Sequence, residues 1–398
     1  MSFSDWRTCK LGDVLNFRRG HDLPKTKMVN GIYPVVGSNG VIGYHNEYKS
    51  ENPCVTVGRS GNVGKPHILY ERSWAHNTTL YIDDYKGNNP EFIYYFLHTL
   101  NLENFRGGSA VPTLNRNHIH PIEISIPKSV SEQKAIAHIL STLDEKIEVN
   151  NKINKILEKM AQEIFKHWFV DFEFPNEDGE PYKSSGGEMI ESELGLIPKG
   201  WIFSTITDIC EVRDGTHDSP KASKEGFRLI TSKHLQDNYI DFDSAKYISE
   251  ADYNKVNERS KVDRYDILIT MIGTVGNIYL VQDENIEFAI KNIGLFKTST
   301  NLNYFEYIYL LLKSDEMRQH INQRLAGSTQ KYISLTELRK IPIVIPTEDI
   351  LSEFKKISNS MLTKIYINEK ENDRLRSISD TLLPKLMSGQ IRVPLNND

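Results

Sequence analysis

Cysteine is scarce: Cys9, Cys54 and Cys210 are the only three in 398 residues. They lie far apart and form no CxxC pair, which excludes a disulfide framework and a cysteine zinc site and leaves three reduced thiols. No stretch approaches the ~20 apolar residues of a membrane span. The opening "MSFSDWRTCK" lacks the basic start and apolar run of a signal peptide. No membrane association is expected, and the expected location is cytoplasmic. A basic excess is missing too, since 48 Lys and Arg stand against 53 Asp and Glu, a net charge of −5. That balance argues against nucleic-acid binding by bulk electrostatics; if the chain binds DNA, it does so with local basic loops or a partner's help.

Catalytic signatures are also lacking. "GRSGNVGKP" (58 to 66) spaces its glycines six apart where a phosphate loop needs five, and Pro66 stands where Ser or Thr is required. No N/D-P-P-Y/F tetrapeptide of an amino-methyltransferase is present; the nearest string, "NNPEF", reads as a helix cap. HExxH, GxSxG and the dinucleotide-binding fingerprint are absent. His118 and His120 could ligate a metal only with donors from elsewhere, and "DDYK" (83 to 86) is a charged turn with nothing to complete a metal site. The chain is expected to catalyse nothing alone and to hold no cofactor or metal.

What the sequence does contain is itself, twice. "DWRTCKLGDVLNFRRG" (5 to 20) overlays "GWIFSTITDICEVRDG" (200 to 215), Trp6 over Trp201 and Gly20 over Gly215. "VTVGRSGNVG" (55 to 64) overlays "ILITMIGTVG" (267 to 276), "NPEFIYYFL" (89 to 97) overlays "NYFEYIYLLL" (303 to 312), and "RGGSAVPTL" (106 to 114) overlays "LAGSTQKYI" (325 to 333). The strand-like "IEISIP" (122 to 127) and "IPIVIP" (341 to 346) follow, then "SEQKAI" (131 to 136) and "SEFKKI" (352 to 357), which open two long helices. Charge is uneven along this plan: residues 1 to 130 carry +3, 131 to 200 −6, 201 to 348 −3 and 349 to 398 +1.

In the first helix the seam positions are Ile136, Leu140, Leu143, Ile147, Asn150, Asn154, Leu157, Ala161, Ile164 and Trp168, mostly the 4,3 step of a coiled coil. In the second they are Phe354, Ser358, Met361, Ile365, Asn368, Asn372, Leu375, Ser379, Leu382 and Leu386. Asparagines fall at the same place in both, so the helices are expected to lie antiparallel with those asparagines near the crossing, where paired amides fix register at some cost in stability. Each would be about 60 Å long at 1.5 Å per residue. Ile139, Ile153, Ile156, Met160 and Phe165 flank the seam, which predicts further partner helices; packing on their own domains, or a homodimer, is the plainer alternative. "NEDGEPYKSSGGEMIESELGLI" (176 to 197) reads as a surface linker.

Two alike globular segments, two helices and no catalytic motif resemble the specificity subunit of type I restriction-modification enzymes, the HsdS family. "FKHWFVDFEFP" (165 to 175) and "LLPKLMSGQIRV" (382 to 393) resemble the closing phrases of that family's central and distal conserved regions, and "IPKGW" (197 to 201) and "GSTQKYIS" (327 to 334) its domain-entry and late-domain motifs. The resemblance implies a mixed α/β (α+β) fold in which two target recognition domains are separated by two long antiparallel helices that form a coiled-coil spacer with pseudo-twofold symmetry. Its expected parts are recognition domain 1 (1–130), the central helix (131–173), a linker (174–197), recognition domain 2 (198–348), the distal helix (349–389) and a tail (390–398). Each domain would read one half of a bipartite, gapped site in double-stranded DNA. Two methyltransferase (modification) subunits would dock on the helices and supply S-adenosylmethionine, and restriction/translocase subunits would add ATP- and Mg2+-dependent steps. Where the second domain has "GSTQKYIS" the first has "GGSAVPTL", and Pro112 removes a donor there.

Polar or basic residues near glycines are the expected DNA contacts. In the first domain these are Arg18, Arg19, His21, Lys25, Lys27, Ser38, Asn39, Arg59, Ser60, Asn62, Arg106 and Ser109. In the second they are Arg213, Thr216, His217, Lys221, Ser232, Lys233, His234, Thr274, Ser328, Thr329, Gln330 and Lys331. Helix pairing and partner docking are expected of Asn150, Asn154, Leu157, Ile164, Phe165, Trp168, Phe169, Asn368, Asn372, Leu375, Leu382 and Leu386. Three other readings remain open on sequence: a specificity subunit of another multisubunit modification-restriction enzyme, a coiled-coil scaffold that binds only proteins, and a single-chain methyltransferase of unknown motif.

Overall fold

A computed structural model describes residues 5–107 and 112–393. The chain forms two compact units, residues 1–150 with 369–398, and residues 151–368.

The first unit begins with β1 (Trp6–Lys10), β2 (Asn16–Arg19), β3 (Tyr33–Gly37), β4 (Gly40–His45), β5 (Cys54–Gly58), β6 (Pro66–Leu69), β7 (Trp74–Ala75) and β8 (Thr79–Asp84). Helix α1 (Pro90–His98), β9 (Arg106–Gly107), β10 (Thr113–Leu114), α2 (Arg116–Ile119) and β11 (Glu123–Pro127) follow, and then the long α3 (Val130–Phe169). One sheet runs β2-β8-β5-β6, a second runs β4-β3-β7 with β3 and β7 parallel, and β1 pairs with β11, Trp6 opposite Pro127. The "NNPEF" string does cap a helix. Asn89 Oδ1 accepts from Phe92 N–H at 2.8 Å and Pro90 opens α1, where its missing N–H costs nothing.

The second unit holds β12 (Met189–Ser192), β13 (Gly195–Pro198), β14 (Ile202–Thr205), β15 (Val212–Asp214), β16 (Phe227–Thr231), β17 (Leu235–Gln236), β18 (Tyr239–Ile240) and β19 (Tyr247–Ile248). Next come α4 (Glu250–Ser260), β20 (Ile267–Thr270), β21 (Ile278–Leu280), β22 (Phe288–Lys291), β23 (Ile293–Phe296), α5 (Phe305–Lys313), α6 (Asp315–Gln323), α7 (Leu335–Arg339) and β24 (Pro342–Ile345), and then the long α8 (Glu348–Met387). Its sheets repeat those of the first unit: β15-β23-β20-β21, then β19-β16-β22 with β16 and β22 parallel, and β14 paired with β24. The duplication read in the sequence is therefore a duplication of strand order and direction. The second unit adds the β17–β18 hairpin, α4 and α6. The stretch expected as a linker contains the β12–β13 hairpin, and Phe174 and Tyr182 stack at 4.6 Å before it.

Helices α3 and α8 each contribute to both units, and in each they run antiparallel. Within the first unit, Glu132 near the start of α3 meets Arg392 just past α8 at 2.9 Å, and Asn150 donates to Asn372 Oδ1 at 3.0 Å. Within the second, Asn368 donates to Asn154 Oδ1 at 2.7 Å, while Trp168 meets Phe354 with ring centroids 5.8 Å apart. All four asparagines are buried. Asn150 also donates to Glu371 at 2.8 Å, and Lys146 reaches both Asn150 Oδ1 and Glu371 at 3.1 Å, so the amides are tied to charges at the edge of the seam.

The two closing phrases each pack on a domain-entry tryptophan. Phe169, Phe172 and Phe174 surround Trp201 at 5.8, 5.6 and 4.9 Å. In the first unit Gly389 lies against the Trp6 indole, whose N–H is 3.4 Å from Glu132, and the Arg392 guanidinium stands 5.7 Å over its ring. Of the four aromatics of "HWFVDFEFP", Trp168, Phe169 and Phe174 are core residues and half-buried Phe172 packs against them, joining a helix end to the start of the next domain.

Candidate nucleic-acid interface

Steric necessity shapes the loops first. Strand β2 ends at Gly20, where a Cβ would fall 2.0 Å from the His76 carbonyl oxygen; at Gly215 it would fall 2.5 Å from that of Ile290. Only glycine lets the chain cross so close to the parallel strand. The next residue then bonds to that strand in both domains, His21 N–H to Ala75 O at 2.7 Å and Thr216 N–H to Ile290 O at 3.1 Å.

The rejected phosphate loop proves to be a hairpin turn. Gly61 and Gly64 take φ of 82° and 87°, Gly273 and Gly276 79° and 96°, conformations that suit residues without a Cβ. Gly64 N–H donates to Gly58 O at 2.8 Å, Gly276 N–H to Thr270 O at 3.1 Å. Over each turn lies the late-domain segment: Leu114 N–H donates to Arg59 O at 2.8 Å, and Ile333 N–H to Met271 O at 2.9 Å. The overlay of 106–114 on 325–333 thus holds at Leu114 and Ile333. It brings Arg59, Ser60 and Asn62 to one edge of the first domain, and Thr274 together with exposed Ser328, Thr329, Gln330 and Lys331 to the equivalent edge of the second. Arg106 is exposed nearby, and Ser109 lies outside the described residues.

The remaining expected contacts divide. Arg18, Arg19, Lys25, Lys27, Asn39, His217, Lys221 and Lys233 are exposed. Arg18 pairs with Asp83 at 2.5 Å and Arg19 with Asp22 at 3.3 Å. Arg213 is clamped by Glu211 at 2.6 Å, which raises its pKa further. His21 is half-buried against Trp74 and Tyr81, and burial lowers its pKa. Three residues are placed inside. His234 is 2% exposed and its Nδ1 accepts from Thr231 N–H at 3.0 Å; Ser232 donates to Asn292 O at 2.9 Å; Ser38 is buried under the β5–β6 turn. In the "TSKH" turn only Lys233 faces water.

Sequence reasoning missed a polar pair that both domains build at the same place. Two residues past Gly20, Asp22 accepts from the Asn77 amide, which together with Arg19 lowers its pKa. Two residues past Gly215, His217 Nδ1 lies 2.9 Å from Asn292 Oδ1 and its Nε2 lies 2.9 Å from buried Asp214, which Arg259 also binds. The signal was the asparagine in "AHNTT" and "IKNIG", two strings that the overlay did not compare. Among the described residues no group of three or more His, Cys, Asp or Glu could hold a metal ion. His120 instead accepts from Phe17 N–H at 3.2 Å and stacks on its ring. Among the described residues no helix is long and apolar enough to cross a membrane.

On the helices, Asn150, Asn154, Asn368 and Asn372 pair, while Leu157, Ile164, Leu375 and Leu382 are half-buried and Leu386 is buried. Phe165, Trp168 and Phe169 are 1%, 6% and 6% exposed in their own unit's core, where they pack on Phe354 of α8. Val149, Ile156 and Met160, at 48%, 60% and 46%, are apolar and in water instead.

Twin recognition modules on paired helices, each with a glycine-shaped loop edge, define a duplicated binding subunit. The model of the type I restriction modification DNA specificity domain matches the chain twice, over residues 3–159 and 198–377, and the chain belongs to that family. It is 30% identical over 321 residues, 76% of this chain and 69% of the relative, to the type I restriction enzyme MjaIX specificity subunit of Methanocaldococcus jannaschii. It is 25% identical to the HindI specificity subunit of Haemophilus influenzae, over 70% of this chain and 71% of that one. A solved S subunit of a type I restriction-modification system from M. genitalium shares the fold at a TM-score of 0.61 and 17% identity, covering 96% of each chain. The chain is a DNA-specificity subunit with the two-domain, helix-linked architecture of that family.

Proposed function

We propose that each domain reads one half of a bipartite, gapped site in duplex DNA, that paired α3 and α8 set the gap and dock two modification subunits, and that this chain performs no chemistry of its own. One observation supports this above others. The domains repeat backbone hydrogen bonds around the β5–β6 and β20–β21 turns, yet Arg59, Ser60 and Asn62 in the first turn stand where the second has Met271, Ile272 and Thr274. A shared scaffold with unlike side chains at its turns suits two readers of unlike half-sites, because base edges are distinguished by donor and acceptor pattern while phosphate contacts only position. Exposed Ile156 and Met160 on α3 suit a partner helix. S-adenosylmethionine, ATP and Mg2+ belong to modification and restriction subunits in this reading. Residues 1–130 and 198–348 are the proposed readers, and target-adenine extrusion falls to the modification subunit.

The chain co-purified with its modification subunits should methylate a random-sequence DNA library at a two-part motif with a fixed gap, measured at stated salt. Exchange of residues 1–130 should replace one part only. Stable assembly with no sequence preference would leave a protein scaffold.

A further inference from the structure

The two domains share their sheets but differ, among other places, at the connection between two equivalent strands. In the first, Ser38 and Asn39 alone join β3 to β4. In the second, residues 232–246 separate the equivalent strands β16 and β19 and hold the β17–β18 hairpin, whose Leu235 and Ile240 are buried. The first-domain ribbon instead holds apolar side chains in water: Ile32 is 76% exposed, Val41 51%, Ile42 44% and Tyr44 51%. A register shift between Val35 and Val36 places an extra residue in β4, so that consecutive Val41 and Ile42 both face outward. β4 is also the edge of its sheet, and an apolar edge left bare invites association.

The ribbon lies among the expected contacts. A Cβ on Gly61 would sit 3.1 Å from Ser38 Oγ, and His67 Nε2 is 3.3 Å from Ser38 O, so the β3–β4 tip abuts the turn that carries Arg59 and Asn62. A Cβ on Gly43 would meet Met28 Sδ at 2.8 Å, which brings exposed Lys25 and Lys27 alongside β4. The apolar row therefore runs into polar reading groups at its tip and is flanked by cations, the surroundings a nucleic acid meets and an apolar protein surface does not need.

We propose that the β3–β4 ribbon enters the major groove of the first half-site, with Ile42 and Tyr44 against thymine methyl groups and Asn39 leading. The proposal rests on the reading of this chain as a specificity subunit. The major groove admits a two-stranded ribbon, and thymine presents there a methyl that apolar side chains recognise. Each methyl so buried should contribute about threefold to fivefold in affinity. The second domain, with residues 232–246 in that place, reads its half by other means.

The test uses the complex with modification subunits. Ile42→Ser combined with Tyr44→Ser removes both proposed methyl contacts and leaves no side-chain methyl in their place. After the library has defined the motif, the half that exchange of residues 1–130 alters is rebuilt with deoxyuridine for thymine, which removes only the methyl. The wild-type complex should lose about threefold to fivefold in binding per contacted methyl, and the variant, already weaker for that half, should lose nothing more; the other half should be read equally by both. An undiminished uracil penalty in the variant, or a first half-site made only of G·C pairs, would overturn the proposal. So would loss of subunit assembly with half-site preference intact, which would make the ribbon a protein-docking edge. No two-part motif from the wild type would overturn this proposal and the specificity reading together, and so tells the two failures apart.

Discussion

Glu306 sits in the first turn of α5 with 1% exposure, and among the described residues no other side chain hydrogen-bonds either carboxylate oxygen. Burial raises its pKa from 4.5 to about 7, against a partial pull from its own backbone and from Lys355. The folded state therefore holds the proton more tightly than the unfolded chain. This contribution is neutral below about 4.5, costs stability progressively as pH rises from about 4.5 to about 7, and levels off above. This one group should cost the second unit on the order of 3 kcal/mol across that window, and Glu306→Gln should remove that component of the slope in urea titrations at a series of pH values. Side-chain direction was the least legible feature at this scale. Ser232, Lys233 and His234 are consecutive and polar, and no pattern in a three-residue turn says that only the middle one faces water. Gly20 and Gly215 were legible as a pair in the overlay, but the close approach to the parallel strand that requires them was not.

At the scale of elements, the paired asparagines make a sharper prediction. Asn154→Leu alone leaves the buried Asn368 amide without its acceptor and should cost about 1–3 kcal/mol. Adding Asn368→Leu should return most of that loss, because two leucines fill a dry seam. Equilibrium unfolding of the four proteins in the cycle measures the coupling, and a double variant no better than the sum of the singles would deny the pair. Trp201→Ala, which empties the ring cluster of Phe169, Phe172 and Phe174, should cost about 3–5 kcal/mol in the same measurement. Both long helices were legible because a 4,3 apolar step over 40 residues leaves no strand alternative. The strands β9, β10, β17 and β18 were not, since two residues each are too few to show a period. The "linker" hairpin β12–β13 was hidden by composition, because its glycines and glutamates look like coil.

At the scale of the whole molecule, the duplication was visible in sequence because shared phrases keep their order, and the exchange of helix ends between units was not, because no local pattern reports which tryptophan a distant phrase will meet. The first unit's core includes Leu386 and Met387, 1% and 4% exposed. A chain ending at residue 381 should therefore keep native hydrogen-exchange protection in the second unit and lose it in β1, β11 and the start of α3. Equal loss in both units would mean that residues 382–393 do not belong to the first unit's core.

That dependence sets a clock on synthesis. The second unit draws on one unbroken stretch, residues 151–368, and can close as soon as it has left the ribosome. The first is made earliest and must wait for its final helix, which at about 5–20 residues per second arrives on the order of ten to fifty seconds later. During that interval the domain that started first is the one still open, and chaperones should be found on nascent residues 1–150.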